Sequence, residues 1–113
     1  MPNLKFKDLV KKTNKVIKKF EKVEQRKWGI EGNMIELTKQ VGELARNIMM
    51  LENYYLSERK KDPNYNRASK SEVANELSDI LFMIIRIANH YKIDLEKAHL
   101  KELNLALKSL EKK

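Results

Sequence analysis

The sequence predicts an all-α fold, a four-helix and largely antiparallel bundle. Three observations predict it. Only three Gly and two Pro punctuate 113 residues, too few chain breakers for an all-β fold rich in turns. Charged residues make up 35% of the chain and hydrophobic residues 42%, the balance of helices with one wet face and one dry face. Four segments repeat their apolar residues at the three-to-four-residue step of a helix. The length predicts a single domain, 1–113, which buries roughly two-thirds of its unfolded surface, enough for one core without staples.

In the first segment Leu9, Val10, Thr13, Val16, Ile17, Phe20 and Val23 trace one face, ending near Trp28-Gly29, with a further break expected at Gly32-Asn33. The second runs from about Met34 to about Glu58, with Leu37, Val41, Leu44, Ala45, Ile48 and Tyr55 as its stripe. Lys60 to Ala68, which contains Asp62-Pro63-Asn64, reads as a polar loop. Ser69-Lys70-Ser71-Glu72 then has capping-box spacing, which satisfies free backbone donors at a helix start. Val73, Leu77, Ile80, Leu81, Ile84, Ile85 and Ala88 carry this third helix to about Tyr91. Because Ile80 to Ile85 is apolar all round, the helix is expected to be central or covered by a second subunit. Asp94 is placed to cap a fourth helix, with Ala98, Leu103, Leu107 and Leu110 expected to face inward.

The net charge of +8 is uneven. Residues 1–27 hold ten basic and three acidic residues, and residues 28–113 hold 14 and 13. The charge therefore describes one N-terminal segment, 1–27, set against a nearly neutral core, 28–113. In the first helix Lys11, Lys12, Lys15, Lys18, Lys19 and Lys22 flank or oppose the apolar face. The plain reading is a bundle helix with a solvated outer face; helices that bind nucleic acid or lie on membranes share the pattern.

Composition also excludes several chemistries. With no cysteine there is no disulfide framework, thiolate zinc site or catalytic Cys, which fits a reducing compartment such as the cytoplasm. No apolar h-region follows the N-terminus, and the longest apolar run is too short to span a bilayer, so no membrane partner is expected. His90 and His99 lack ligand spacing, and there is no Gly-rich phosphate loop or G-x-S-x-G.

The informative feature is acidic. In the second helix Glu36, Gln40, Glu43 and Asn47 follow steps of four, three and four, and so fall within about 60° of one another. In the third, Glu72, Glu76 and Asp79 repeat the first two steps, and Asp79 abuts the apolar run. Both helices thus carry acids beside their buried faces. Two carboxylates about 4 Å apart repel by ~4 kcal/mol at an effective dielectric of ~20, and a divalent cation turns that repulsion into attraction. Oxygen-only ligands favour Mg²⁺ or Mn²⁺ over Zn²⁺, and Mg²⁺ takes phosphate oxygens as further ligands. The competing reading is a solvated charge stripe paired with nearby lysines.

Gln40-Val41-Gly42-Glu43-Leu44, followed by Glu76-Leu77-Ser78-Asp79-Ile80, resembles the all-α NTP pyrophosphohydrolase superfamily, the MazG-like proteins. That family reads E-x-x-E on one helix and E-x-x-D on the next, and Tyr91-Lys92-Ile93-Asp94-Leu95-Glu96-Lys97-Ala98 is similar to the stretch after its metal helix. The resemblance covers roughly residues 28–104. It implies a MazG-like bundle completed by homo-oligomerisation as a dimer or tetramer. It also implies that Mg²⁺ on four acids assists attack of water on a nucleoside triphosphate, giving a monophosphate and pyrophosphate. Carried over, Glu43, Glu76 and Asp79 match metal ligands, with Glu43 bridging or positioning water as the catalytic residue. Gln40 stands where the first Glu belongs; Glu36 on the same stripe, or Glu72, supplies a substitute carboxylate. Lys101 and Asn104 lie near the family's K-x-x-x-N, though three apart instead of four.

Arg86, seven residues beyond Asp79, is a candidate phosphate contact, with a salt bridge or snorkelling as its alternative. Trp28 is a candidate for stacking on a base, with a packing role as its alternative. The reading is thus a Mg²⁺-dependent pyrophosphohydrolase acting on nucleoside triphosphates. Its alternatives are a catalytically impaired nucleotide-binding or scaffolding relative, because of Gln40, and a basic module that binds nucleic acid through residues 1–27.

Overall fold

A computed structural model describes residues 5–55, 61 and 69–112. These residues form four helices in chain order: α1 (Phe6–Val23), α2 (Gly29–Leu51), α3 (Lys70–His90) and α4 (Leu95–Glu111). Among the described residues there is no strand. Nor is any helix long and apolar enough to cross a membrane. Most of the polar loop expected over 60–68 lies outside the described residues.

The helix ends follow from local chemistry. Asp8 accepts a hydrogen bond from the Lys5 backbone N–H at 3.1 Å, closing the start of α1. Gly29 adopts φ +62, a left-handed conformation that costs glycine little, and α2 begins there. The break expected at Gly32-Asn33 does not occur. A glycine inside a helix costs only about 1 kcal/mol against alanine, and Asn33 is buried at 5% exposure within the continuing helix.

The second helix stops at Leu51, well before the expected Glu58, because Asn53 enters the left-handed region at φ 62. Its N–H then bonds to the Met50 carbonyl at 3.2 Å and the Tyr54 N–H to the Met49 carbonyl at 2.9 Å, a Schellman closure. The same closure ends α3: Lys92 sits at φ 55, its N–H bonds to Asn89 at 3.1 Å, and the Ile93 N–H bonds to Ala88 at 2.8 Å. Both caps read from sequence form. Ser69 Oγ accepts from the Glu72 N–H at 3.1 Å, and Asp94 Oδ1 from the Lys97 N–H at 3.0 Å.

Two compact units result, Met1–Trp28 with Ile85–Lys113, and Gly29–Ile84, so the boundary falls inside α3. The basic first helix thus shares a unit with the end of α3 and with α4, where the sequence had set it apart from a core at 28–113. In that unit Ile17, Ile85 and Ala88 are buried, and the Arg86 guanidinium pairs with the nearly buried Glu24 carboxylate. The Arg86 guanidinium also lies over the Trp28 ring, 4.9 Å from its centroid. The Asn89 side-chain amide donates to Asn14 Oδ1. In the other unit Met50 and Met83 are buried, together with Asn33 and Asn47.

One expectation of burial is met in part and one is corrected. In the run Ile80 to Ile85, Met83 and Ile85 are buried, Ile80 and Phe82 are half-buried, and Leu81 and Ile84 stay exposed, so this chain covers only part of the helix. Ala98, Leu103, Leu107 and Leu110 do not face inward: α4 has no buried residue, and these leucines are 48% to 65% exposed. Their periodicity was that of a helix with an apolar face, but no described element of this chain covers that face.

Candidate metal centre

The acids all belong to the Gly29–Ile84 unit, with Glu36 and Glu43 on α2 and Glu72, Glu76 and Asp79 on α3. On α2 the polar stripe is longer than the sequence reading had it. Asn33 stands three residues before Glu36, which extends the alternating three- and four-residue steps back toward the helix start. Asn33 and Asn47 are buried, Gln40 partly so, and Glu43 is exposed.

Gln40 has a defined role in this stripe. Its Nε2 donates to Glu36 Oε2 at 3.2 Å, an arrangement a glutamate at the same position could make only when protonated. This bond turns the amide oxygen away, and Gln40 Oε1 is buried without a hydrogen-bond partner. Lys39, which sequence reasoning passed over, supplies the positive charge. Its Nζ lies 2.9 Å from Glu36 Oε1 and 4.0 Å from Glu43 Oε1. The signal was legible, since Lys39 is three residues from Glu36 and four from Glu43. The bond and charge of Glu36, and then the charges of Glu43 and Glu76, hold the Lys39 ammonium above its ordinary pKa.

Glu76 is the electrostatic centre of the group. Its Oε2 is buried and has no hydrogen-bond partner. Burial pushes its carboxyl pKa above the usual carboxylate range, and the charges of Glu43, Asp79 and Glu72 push it further, with Lys39 opposing. Desolvation and like charges act here in the same direction and outweigh the compensation from Lys39.

In kind, this donor set fits a hard divalent cation: it is all oxygen, it carries like charges, and it includes an orphaned carboxylate oxygen and an orphaned amide oxygen. In position, the convergence is incomplete. Among the described residues no group of three acidic or histidine side chains stands close enough to share one ion.

The remaining candidates belong to the other unit. Arg86 and Trp28 are engaged with Glu24 and with each other, the ion-paired and packing alternatives of their sequence readings. Lys101 and Asn104 are exposed on α4 and line a shallow surface hollow with Lys97 and Lys108. The last two had not been singled out, although the spacing of 97, 101, 104 and 108 puts all four on one face. His90 and His99 are exposed, and His90 meets Tyr91 edge to face.

No family model and no solved structure matches the chain. Among curated proteins it is similar to the uncharacterized protein YpjD of Bacillus subtilis (strain 168), at 36% identity over 66 residues. That match covers 58% of this chain and 53% of YpjD, so the chain spans about half the length of the curated relative it matches.

Proposed function

We propose that this chain is a Mg²⁺-dependent nucleoside triphosphate pyrophosphohydrolase of the MazG-like kind, a cytoplasmic homodimer or homotetramer whose helical bundle is completed between subunits. The observation that carries the reading is Glu76: a carboxylate with one buried, unpartnered oxygen, its pKa raised by burial and then by its acidic neighbours. A buried charge of this sort is costly unless a counter-charge arrives, and the all-oxygen character of the paired motifs on α2 and α3 supports a hard divalent ion in that role.

Glu76 and Asp79 would hold the ion, with Glu43 and Glu36 as the carboxylates from α2. When bound, Mg²⁺ neutralises phosphate oxygens and lowers the pKa of a coordinated water. Exposed Glu43 is open to solvent and orients the attacking water, accepting its proton. The water oxygen joins the α-phosphorus, the bond to the oxygen bridging the α- and β-phosphorus breaks, and pyrophosphate leaves. Gln40 keeps Glu36 in place as a donor and does not compete with it as a second anion.

The oligomer is supported by α4. Leu100, Leu103, Leu107 and Leu110 repeat at steps of three, four and three, a coiled-coil seam, and all are about half exposed or more. Full burial of a leucine stabilises by about 1.5–3 kcal/mol relative to full exposure, so four such residues favour association. Sedimentation is expected at twice or four times the chain mass, and Leu103→Lys with Leu107→Lys shifts it to the monomer.

The deciding experiment is a product assay with Mg²⁺ and a panel of ribo- and deoxynucleoside triphosphates. Monophosphate and pyrophosphate are expected, with Glu76→Ala slower by about 10³-fold, the value of several kcal/mol of charge stabilisation. Diphosphate as product, or turnover indifferent to Glu76, overturns the reading. The Gln40–Glu36 bond favours a second reading, a nucleotide-binding relative with little turnover. Absence of turnover in the wild-type chain together with a large gain in Gln40→Glu selects it.

A further inference from the structure

The apolar face of α1 is only partly used by its own unit. Leu9, Val16, Phe20 and Val23 follow steps of seven, four and three, which places them on one ridge within about 60°. All four are 40% to 74% exposed. The helix packs by an adjoining flank, where Ile17 is buried and Asn14 Oδ1 accepts from the Asn89 side-chain amide. Lys12 and Lys19 border the ridge on its other flank, and Lys15 and Lys22 continue that flank. These lysines are exposed, and among the described residues no acid pairs with them. Asp8, the acid on their flank, closes the helix start. The unit that holds α1 carries 17 basic and seven acidic residues, whereas Gly29–Ile84 carries seven and nine.

We propose that α1 docks the protein on an anionic lipid bilayer, lying in the plane of the interface with its ridge against the acyl chains and its lysines among the headgroups. Charge complementarity selects an anionic partner. The ridge selects lipid among anionic partners, because exposed aliphatic side chains are stabilised by acyl chains and not by hydrated phosphates. Lysine suits this geometry, since its apolar stem follows the ridge while its ammonium reaches the headgroups. No cation of α1 is an arginine, the side chain best shaped to grip the phosphates of a nucleic acid. A second α1 on the ridge would set lysines against lysines. Docking at a surface requires no helix that crosses it, and the inference stands apart from the metal-centre reading.

The test mixes the full chain with vesicles, either phosphatidylglycerol and phosphatidylcholine in equal parts or phosphatidylcholine alone, and reads the bound fraction by co-sedimentation. Binding is expected with the anionic vesicles only, weakening as salt rises. Lys12→Gln, Lys15→Gln and Lys19→Gln together are expected to lower the partition about 100-fold, as three charges leave the headgroup layer. Val16→Ser with Val23→Ser is expected to lower it about tenfold, through lost apolar contact. Val23→Ser alone, at the end of the helix, repeats the direction of that result should the double variant unfold.

No binding to the anionic vesicles overturns the proposal, and a lower sedimenting mass in the valine variants then assigns the ridge to a second copy. Vesicle binding that the valine variants leave unchanged also overturns it, and duplex DNA bound as tightly then names nucleic acid as the partner.

Discussion

The two units treat their polar groups in opposite ways. In the unit that joins α1, the end of α3 and α4, the buried and half-buried polar groups are matched: Arg86 has Glu24 and the face of Trp28, and Asn89 has Asn14. In the Gly29–Ile84 unit, Asn33 Oδ1, Gln40 Oε1 and Glu76 Oε2 are buried without hydrogen-bond partners; burial and the neighbouring acids hold the Glu76 pKa up, and Glu36 and Glu43 pair with Lys39. Folding alone accounts for the first pattern, because a buried charge is tolerated when it is paired. The second pattern costs stability, about 1–3 kcal/mol for a fully buried orphan, and it is the cost that the proposed function would account for.

The largest effect that distinguishes the two is expected at Arg86. Arg86→Ala leaves Glu24 buried and unmatched and is expected to lower stability by about 3–5 kcal/mol in urea unfolding, whereas Arg86→Met combined with Glu24→Leu recovers most of the loss. A small loss in the single variant would mean that the pair is solvated and that the comparison between the units fails.

The opposite sign is expected at Glu76. Its folded pKa lies above the ordinary carboxyl value of 4.5, so its contribution to stability is fully present below about that pH and is lost as pH rises through the folded value. Without divalent ions, Glu76→Gln is therefore expected to raise Tm at neutral pH, by about 4 °C for each 1 kcal/mol, and to flatten the acid side of the stability profile. Divalent ions are expected to reduce the advantage of the variant. A Tm that falls at neutral pH would show that the Glu76 charge is already compensated in the free protein.

The smallest effects are expected where the units end their helices alike. Lys92 and Asn53 both hold left-handed conformations, but asparagine tolerates that region better than lysine. Lys92→Gly is expected to stabilise by about 0.5–1 kcal/mol and Asn53→Gly by less, read from urea midpoints at constant slope. Equal gains would place the cost in the turn as a whole and not in the side chain.

Much of this was legible beforehand. The caps at Ser69 and Asp94 were readable because each rests on one short-range hydrogen bond between residues three apart. The acid stripes were readable because helical spacing sets which residues share a face. The end of α2 was not, since Asn53 reads as an ordinary helix residue until its φ turns positive. Lys39 was missed for a different reason: its i, i+3 and i, i+4 spacing was visible, but lysines at such spacing are common on exposed helices and usually mean little. The leucines of α4 were read correctly as an apolar face and wrongly as a buried one, because periodicity reports that a face wants cover and not whether the same chain supplies it.

By itself, then, the sequence determined the all-helical class, three of the helix boundaries and the line of acids along each of two helices, all of them consequences of chain geometry within a few residues. Only the tertiary structure decided that Arg86 spends its charge on Glu24, that α1 shares a unit with α4, that α4 has no buried residue, and that one oxygen of Glu76 loses water without gaining a hydrogen-bond partner. Those outcomes depend on which residues distant in the chain come to exclude solvent from one another. Desolvation, which sets the cost of a charge, is a property of that neighbourhood and not of the local sequence.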